Sequence, residues 1–128
     1  MLPEPYRLHR RTDFARTVRQ GRRIGRRDLV VHVLLADGQE ANRDHPSIRV
    51  GGPRFGLIVS KAVGNAVVRH RVARRLRHIC ASVAADLPEG ADVVLRALPG
   101  AADTASDELR RQLRAGLRKL GVLTGSES

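Results

Sequence analysis

The stretch from Lys61 to Ala85 constrains this chain more than any other, because it combines six cations and no acid with an apolar residue at nearly every third or fourth position. At about 100° per residue, Val68, Val72, Leu76, Ile79 and Val83 fall in one stripe, which defines the buried face of a helix. His70, Arg74 and Arg77 project from the other side, while Arg69, Arg71 and Arg75 flank the stripe. Such a helix must lay its stripe on a sheet or another helix. It must also tolerate like charges at neighbouring positions, which repel by a few tenths of a kcal/mol per pair. One reading of the charged face is a solvated surface. The other is a phosphate-binding face, favoured because a polyanion relieves the repulsion.

The flanking segments supply the partner layer. Asp13 to Gln20 reads as a short amphipathic helix with Thr12 as N-cap, Phe14 and Val18 four apart on one face, and Gly21 as its stop. Leu29–Leu35 and Arg54–Ser60 are β-branched, apolar runs that read as strands. A long mobile loop of about residues 37–53 joins them, with a further short strand near Ile48–Val50. Asn65 caps the central helix, the turn Pro88-Glu89-Gly90 leads to a strand at Asp92–Ala97, and Thr104-Ala105-Ser106-Asp107 reads as a capping box. The last helix carries its stripe at Leu109, Leu113, Leu117 and Leu120. The order α-β-β(-β)-α-β-α predicts an α+β sandwich in one domain over 1–128, ordered from about 6 to 120, with a tail at 121–128.

Charge and composition narrow the function. Residues 1–36 carry +6, residues 37–60 balance, residues 61–85 carry another +6 and the remainder −1, giving +11 overall. Such an imbalance points to a polyanionic partner, nucleic acid before membrane. The apolar run Leu29–Ala36 is too short to span a bilayer, which takes about 20 residues. Met1-Leu2-Pro3-Glu4-Pro5 lacks the order of a signal peptide, so a cytoplasmic protein is the default. Among the 24 cations only Lys61 and Lys119 are lysine. Arginine suits bidentate phosphate contacts, although a G+C-rich genome biases composition the same way. Lone Cys80 reads as a packing residue. The acids are scattered and His45, His70 and His78 read as surface or RNA-facing groups, so no residue qualifies as catalytic and no metal-site spacing exists. No feature suggests a small-molecule substrate. A DNA-binding helix-turn-helix is disfavoured because strands flank the central helix.

The segment Gly56-Leu57-Ile58-Val59-Ser60-Lys61-Ala62-Val63-Gly64-Asn65-Ala66-Val67-Val68-Arg69-His70-Arg71-Val72-Ala73-Arg74-Arg75-Leu76-Arg77 resembles the signature of the bacterial ribonuclease P protein subunits. With Tyr6-Arg7-Leu8, Asp13-Phe14 and the closing helix, the resemblance extends over about residues 6–120. It implies a ribosomal-protein-like fold with a left-handed β-α-β crossover at Lys61–Asn65, against the usual right-handed preference. It also implies a protein that assists a catalytic RNA subunit, one to one, in cutting the 5′ leader from precursor tRNA, with magnesium bound mainly by the RNA. The RNA-binding residues implied are Lys61, Asn65, Arg69, His70, Arg71, Arg74, Arg75 and Arg77. The implied leader cleft comprises Phe14, Val18, His32, Ile58, Arg74 and Arg77. His70 and Ala73 stand where the signature has Asn and Lys, and Val18 and His32 stand where it has aromatics, so leader binding should lean on arginine. If His32 faces the cleft, its protonation should strengthen leader binding as pH falls. A ribosomal-type or assembly RNA-binding protein is the alternative reading.

Overall fold

A computed structural model describes residues 7–8, 11–35 and 53–123. The elements are α1 (Arg11–Gln20), β1 (Arg22–Gly25), β2 (Leu29–Leu34), β3 (Arg54–Ile58), α2 (Ala66–Val83), β4 (Asp92–Ala97) and α3 (Ser106–Lys119), with 3-10 turns at Ala84–Asp86 and Pro99–Asp103. The strands form one sheet in the order β1-β2-β4-β3. β1 and β4 both run antiparallel to β2, whereas β3 and β4 are parallel neighbours joined through α2. This is the α+β sandwich expected, with the β-α-β unit at the signature. Among the described residues no helix is long and apolar enough to cross a membrane.

Alternation along the strands makes two different faces. Leu29, Val31 and Val33 of β2, with Val93, Leu95 and Ala97 of β4, join Val72, Leu76, Ile79 and Val83 of α2 and Leu109, Leu113 and Leu117 of α3 in one core. Phe55 is the one aromatic in that cluster. Cys80 is fully buried in it, and burial pushes its thiol pKa well up, so the residue packs and does not react. The alternate set, His32, Val94 and Gly56, are cross-strand neighbours on the opposite face, where α1 lies.

Several local expectations are corrected. β1 is a strand absent from the expected order, formed because Arg22 to Gly25 pair with Val33 to Val30 despite their charge. The expected capping box is absent: Ala105 precedes α3 with no side-chain cap, and the Thr104 hydroxyl instead lies 2.9 Å from both Asp28 Oδ2 and the Gly100 carbonyl. Beyond α3, Val122 is buried and its N–H donates to Leu117 O at 3.1 Å. The expected loop at 37–53 and the strand near Ile48–Val50 lie, save Pro53, outside the described residues.

Asp28 is an anchor for the sheet's far end. Its carboxylate accepts from Gln112 Nε2 at 2.9 Å, and its N–H donates to Gln112 Oε1 at 2.9 Å. Burial opposes its charge, but bonds from Gln112, Thr104 and Arg27 prevail and hold its pKa below the usual carboxylate value.

Candidate nucleic-acid interface

The central helix is placed by its first turn. Asn65 Oδ1 accepts from Val68 N at 2.9 Å, which closes the N-terminus as the sequence suggested. Gly64 is required there, since a Cβ would stand 2.7 Å from Val68 Cγ1. Val72, Leu76, Ile79, Cys80 and Val83 are buried, and Val68 sits at the margin. The outward side divides in two. Val67, His70, Arg71, Arg74 and His78 form an exposed crest, and Arg69, Ala73 and Arg77 are half-buried on the flank toward β3.

That flank is one wall of a cleft of about 430 Å³. Arg69, His70, Ala73 and Arg77 line it from α2, Gly56, Leu57 and Val59 from β3 and the chain after it, Phe14 from α1, and Arg7 and Leu8 from the N-terminal segment. The N-terminal segment is held there by a parallel bridge between Arg7 and Phe55, with Leu8 N donating to Phe55 O at 2.8 Å. Phe14 rests on Gly56 so closely that a Cβ at residue 56 would lie 2.4 Å from its Cε1 and Cζ. The strand has a glycine because the ring occupies that space.

An ion-pair cluster fixes the helix that carries Phe14. Arg54 grips Asp92 through Nε to Oδ1 at 3.0 Å and Nη2 to Oδ2 at 2.9 Å, and its Nη1 reaches Asp13 Oδ2 at 3.5 Å. Burial works against the guanidinium's charge, yet the Asp92 bonds and charge, with Asp13, push its pKa above the ordinary value. Arg54 thus ties β3 to β4 and to the residue before Phe14.

The structure brings Phe14, Arg69, His70 and Arg77 into one site. It also separates several residues that were expected together. Val18, Ile58 and Arg74 do not line the cleft, and Arg74 belongs to the exposed crest. His32 does lie on the face opposite Val31 and Val33, but it is only 2% exposed, because α1 packs on that face of the sheet. Burial first, then Arg96 and Arg23, depress its pKa, so it is neutral near pH 7 and is not the leader-binding switch expected. Arg75 is turned inward as well, donating to Thr104 O at 3.3 Å. Lys61 and Asn65 stand exposed at the head of the helix. Arg7, Leu8, Phe55, Gly56, Leu57 and Val59 were missed as cleft residues, although Tyr6-Arg7-Leu8 and Gly56 to Val59 were part of the resemblance. Ala73, the departure from the signature's Lys, lies within the cleft itself, so that wall holds one cation fewer.

An α+β sandwich bearing an unrelieved basic helix beside an edge cleft defines a domain for binding a polyanionic strand. The model of the family described as Ribonuclease P matches residues 2–121, and the chain belongs to that family. It is 65% identical over 135 aligned positions to the "Ribonuclease P protein component" of Nocardia farcinica, covering 98% of this chain and 86% of the relative. Its identity to the protein of that name from Rhodococcus opacus is 61% over 123 positions, covering 96% and 94%. In fold it resembles the solved RNase P protein of Staphylococcus aureus, with a TM-score of 0.74 at 24% identity, covering 92% of this chain and 97% of that one.

Proposed function

We propose that the chain serves as the protein subunit of a ribonuclease P ribonucleoprotein, binding a catalytic RNA subunit one to one and the 5′ leader of precursor tRNA, whose removal it assists in the cytoplasm. One observation carries this reading: α2 splits its cations between an outward crest and a cleft wall. Arg71 and Arg74 on the crest present guanidinium forks to a folded RNA, where bidentate phosphate contacts form. Arg69 and Arg77 on the wall face Phe14 across a cleft that suits one unpaired strand, with phosphates on the arginines and a base on the ring. None of these four arginines makes an ion pair with a described residue. Their charge is therefore available to phosphate.

The chain's own part in the reaction is binding and orientation. Among the described residues no three of His, Cys, Asp or Glu come together as metal donors. Asp13, Asp28 and Asp92 are held by arginine, glutamine or threonine. On this reading the magnesium is bound mainly by the RNA subunit, which supplies the chemistry. The protein holds the leader extended and screens RNA phosphates from one another.

The test is the affinity of the reconstituted ribonucleoprotein for precursor tRNA with and without its leader. The wild type should favour the leader-bearing substrate, and Phe14→Ala should remove about 1–3 kcal/mol of that preference. Equal affinity of the wild type for both substrates would overturn the cleft assignment.

A further inference from the structure

A dense group of cations outside the cleft is left unused by this reading. Arg19, Arg22, Arg23, Arg26 and Arg27 run from the last turn of α1 through β1 into the turn before β2. β1 is the edge strand opposite β3. Three interstrand spacings of about 4.8 Å put its backbone roughly 14 Å from the strand that floors the cleft. Arg19, Arg22, Arg23 and Arg27 are exposed. Arg19, Arg22 and Arg23 make no ion pair with a described residue. The neighbouring carboxylate, Asp28, is buried and bonded to Gln112 and Thr104, with only a 3.3 Å contact to Arg27 Nε on the arginine side.

The positive field is felt inside the protein. Arg23 stands opposite His32 in the ladder, and after burial itself, Arg96 and Arg23 further disfavour a proton on that ring. Guarding an edge strand against pairing with another chain takes a charge or two. Five arginines within nine residues go well beyond that. The segment has no aromatic residue on which a base could stack. Its chemistry therefore suits phosphates, not bases.

We propose that the β1 edge, from Arg19 to Arg27, is a further RNA-contact surface that grips the phosphate backbone of folded RNA, as the Arg71–Arg74 crest does, while the cleft at β3 holds a single strand. This rests on the RNA-binding reading above and extends it: a basic edge at β1, added to the α2 surfaces beside the opposite edge of one rigid sheet, makes the attachment multivalent and fixes the protein's orientation on its RNA.

The experiment measures binding to a bacterial ribonuclease P RNA transcript and to a short single-stranded RNA across a range of salt. Arg22→Gln/Arg23→Gln is compared with Arg71→Gln/Arg74→Gln and the wild type. Each lost phosphate contact lowers the log-log salt slope by about 0.9, so the edge variant should lose nearly two units on the transcript. Its binding to the single strand should be unchanged. Arg19→Gln/Arg27→Gln, outside the β1 ladder, gives the same reading if the first variant fails to fold. An unchanged slope on the transcript, with the α2 variant reduced, would overturn the proposal, as would equal losses on both probes. A wild type that binds the transcript no better than duplex DNA at equal salt would overturn the RNA-binding reading itself, and this surface with it.

Discussion

Replacing Gly56 by alanine tests how the cleft is built. The new Cβ would stand 2.4 Å from Phe14 Cε1 and Cζ, and ordinary contact begins near 3.4 Å, so the ring must withdraw by about 1 Å or the strand must bend. Without that collision, Gly→Ala in a strand stabilises by roughly 0.5–1 kcal/mol through the lost freedom of the unfolded chain. Overpacking of this kind costs about 1–3 kcal/mol. The net expectation is a loss of about 0.5–2 kcal/mol in urea or thermal unfolding. A double-mutant cycle isolates the cause: in a Phe14→Ala background the ring is gone, and Gly56→Ala should become neutral or mildly stabilising. The same displacement moves the stacking platform, so leader preference should fall in Gly56→Ala even where the protein remains folded. Equal stability costs in the two backgrounds would refute the argument that the glycine exists to seat the ring.

Three further outcomes follow from the buried polar groups. Asp28→Asn should cost about 1–3 kcal/mol at pH 7 through its weakened bonds to Gln112 and Thr104. Because the folded-state pKa of Asp28 is depressed, this contribution is present above the unfolded value near 3.9 and fades as pH falls through the folded value, so wild type and variant should converge in acid unfolding. His32 is the reverse case in sign of charge: the unfolded chain takes up its proton below about pH 6.5 while the folded chain resists, so His32→Leu should gain stability over the wild type as pH drops from 7 to 5. Arg54→Met leaves Asp92 buried at 4% side-chain exposure without its principal partner and should cost about 3–5 kcal/mol by denaturant titration, whereas exposed Arg71→Met should cost almost nothing.

What the sequence revealed depended on whether the deciding forces were local. β4 runs from Asp92 to Ala97, as its apolar run between turns indicated, and α2 begins after Asn65 because cap and stripe lie within a few residues of each other. β1 was illegible because Arg22-Arg23-Ile24-Gly25 has no apolar alternation, and it is a strand only through its ladder to β2. Thr104 was misread as a cap because its partner, Asp28, lies 76 residues away. The site shows the same division. Strand parity correctly turned His32 away from the core formed by Val31 and Val33, but only the packing of α1 on that face decided that the ring would be buried. The signature grouped Arg69 and Arg77 with Arg71 and Arg74 as expected RNA-binding residues, whereas their separation from the Arg71–Arg74 crest follows from where α2 sits against β3.

If this chain acts by gripping RNA, reconstitution will reveal it. The protein alone, a bacterial ribonuclease P RNA alone and the two together are each assayed for 5′-leader removal from precursor tRNA at low magnesium. The protein alone should not cleave, the RNA alone should cleave weakly, and the pair should cleave efficiently unless Arg71 and Arg74 are both replaced by Gln. Cleavage by RNA-free protein, or a pair no more active than the RNA alone, would contradict this role.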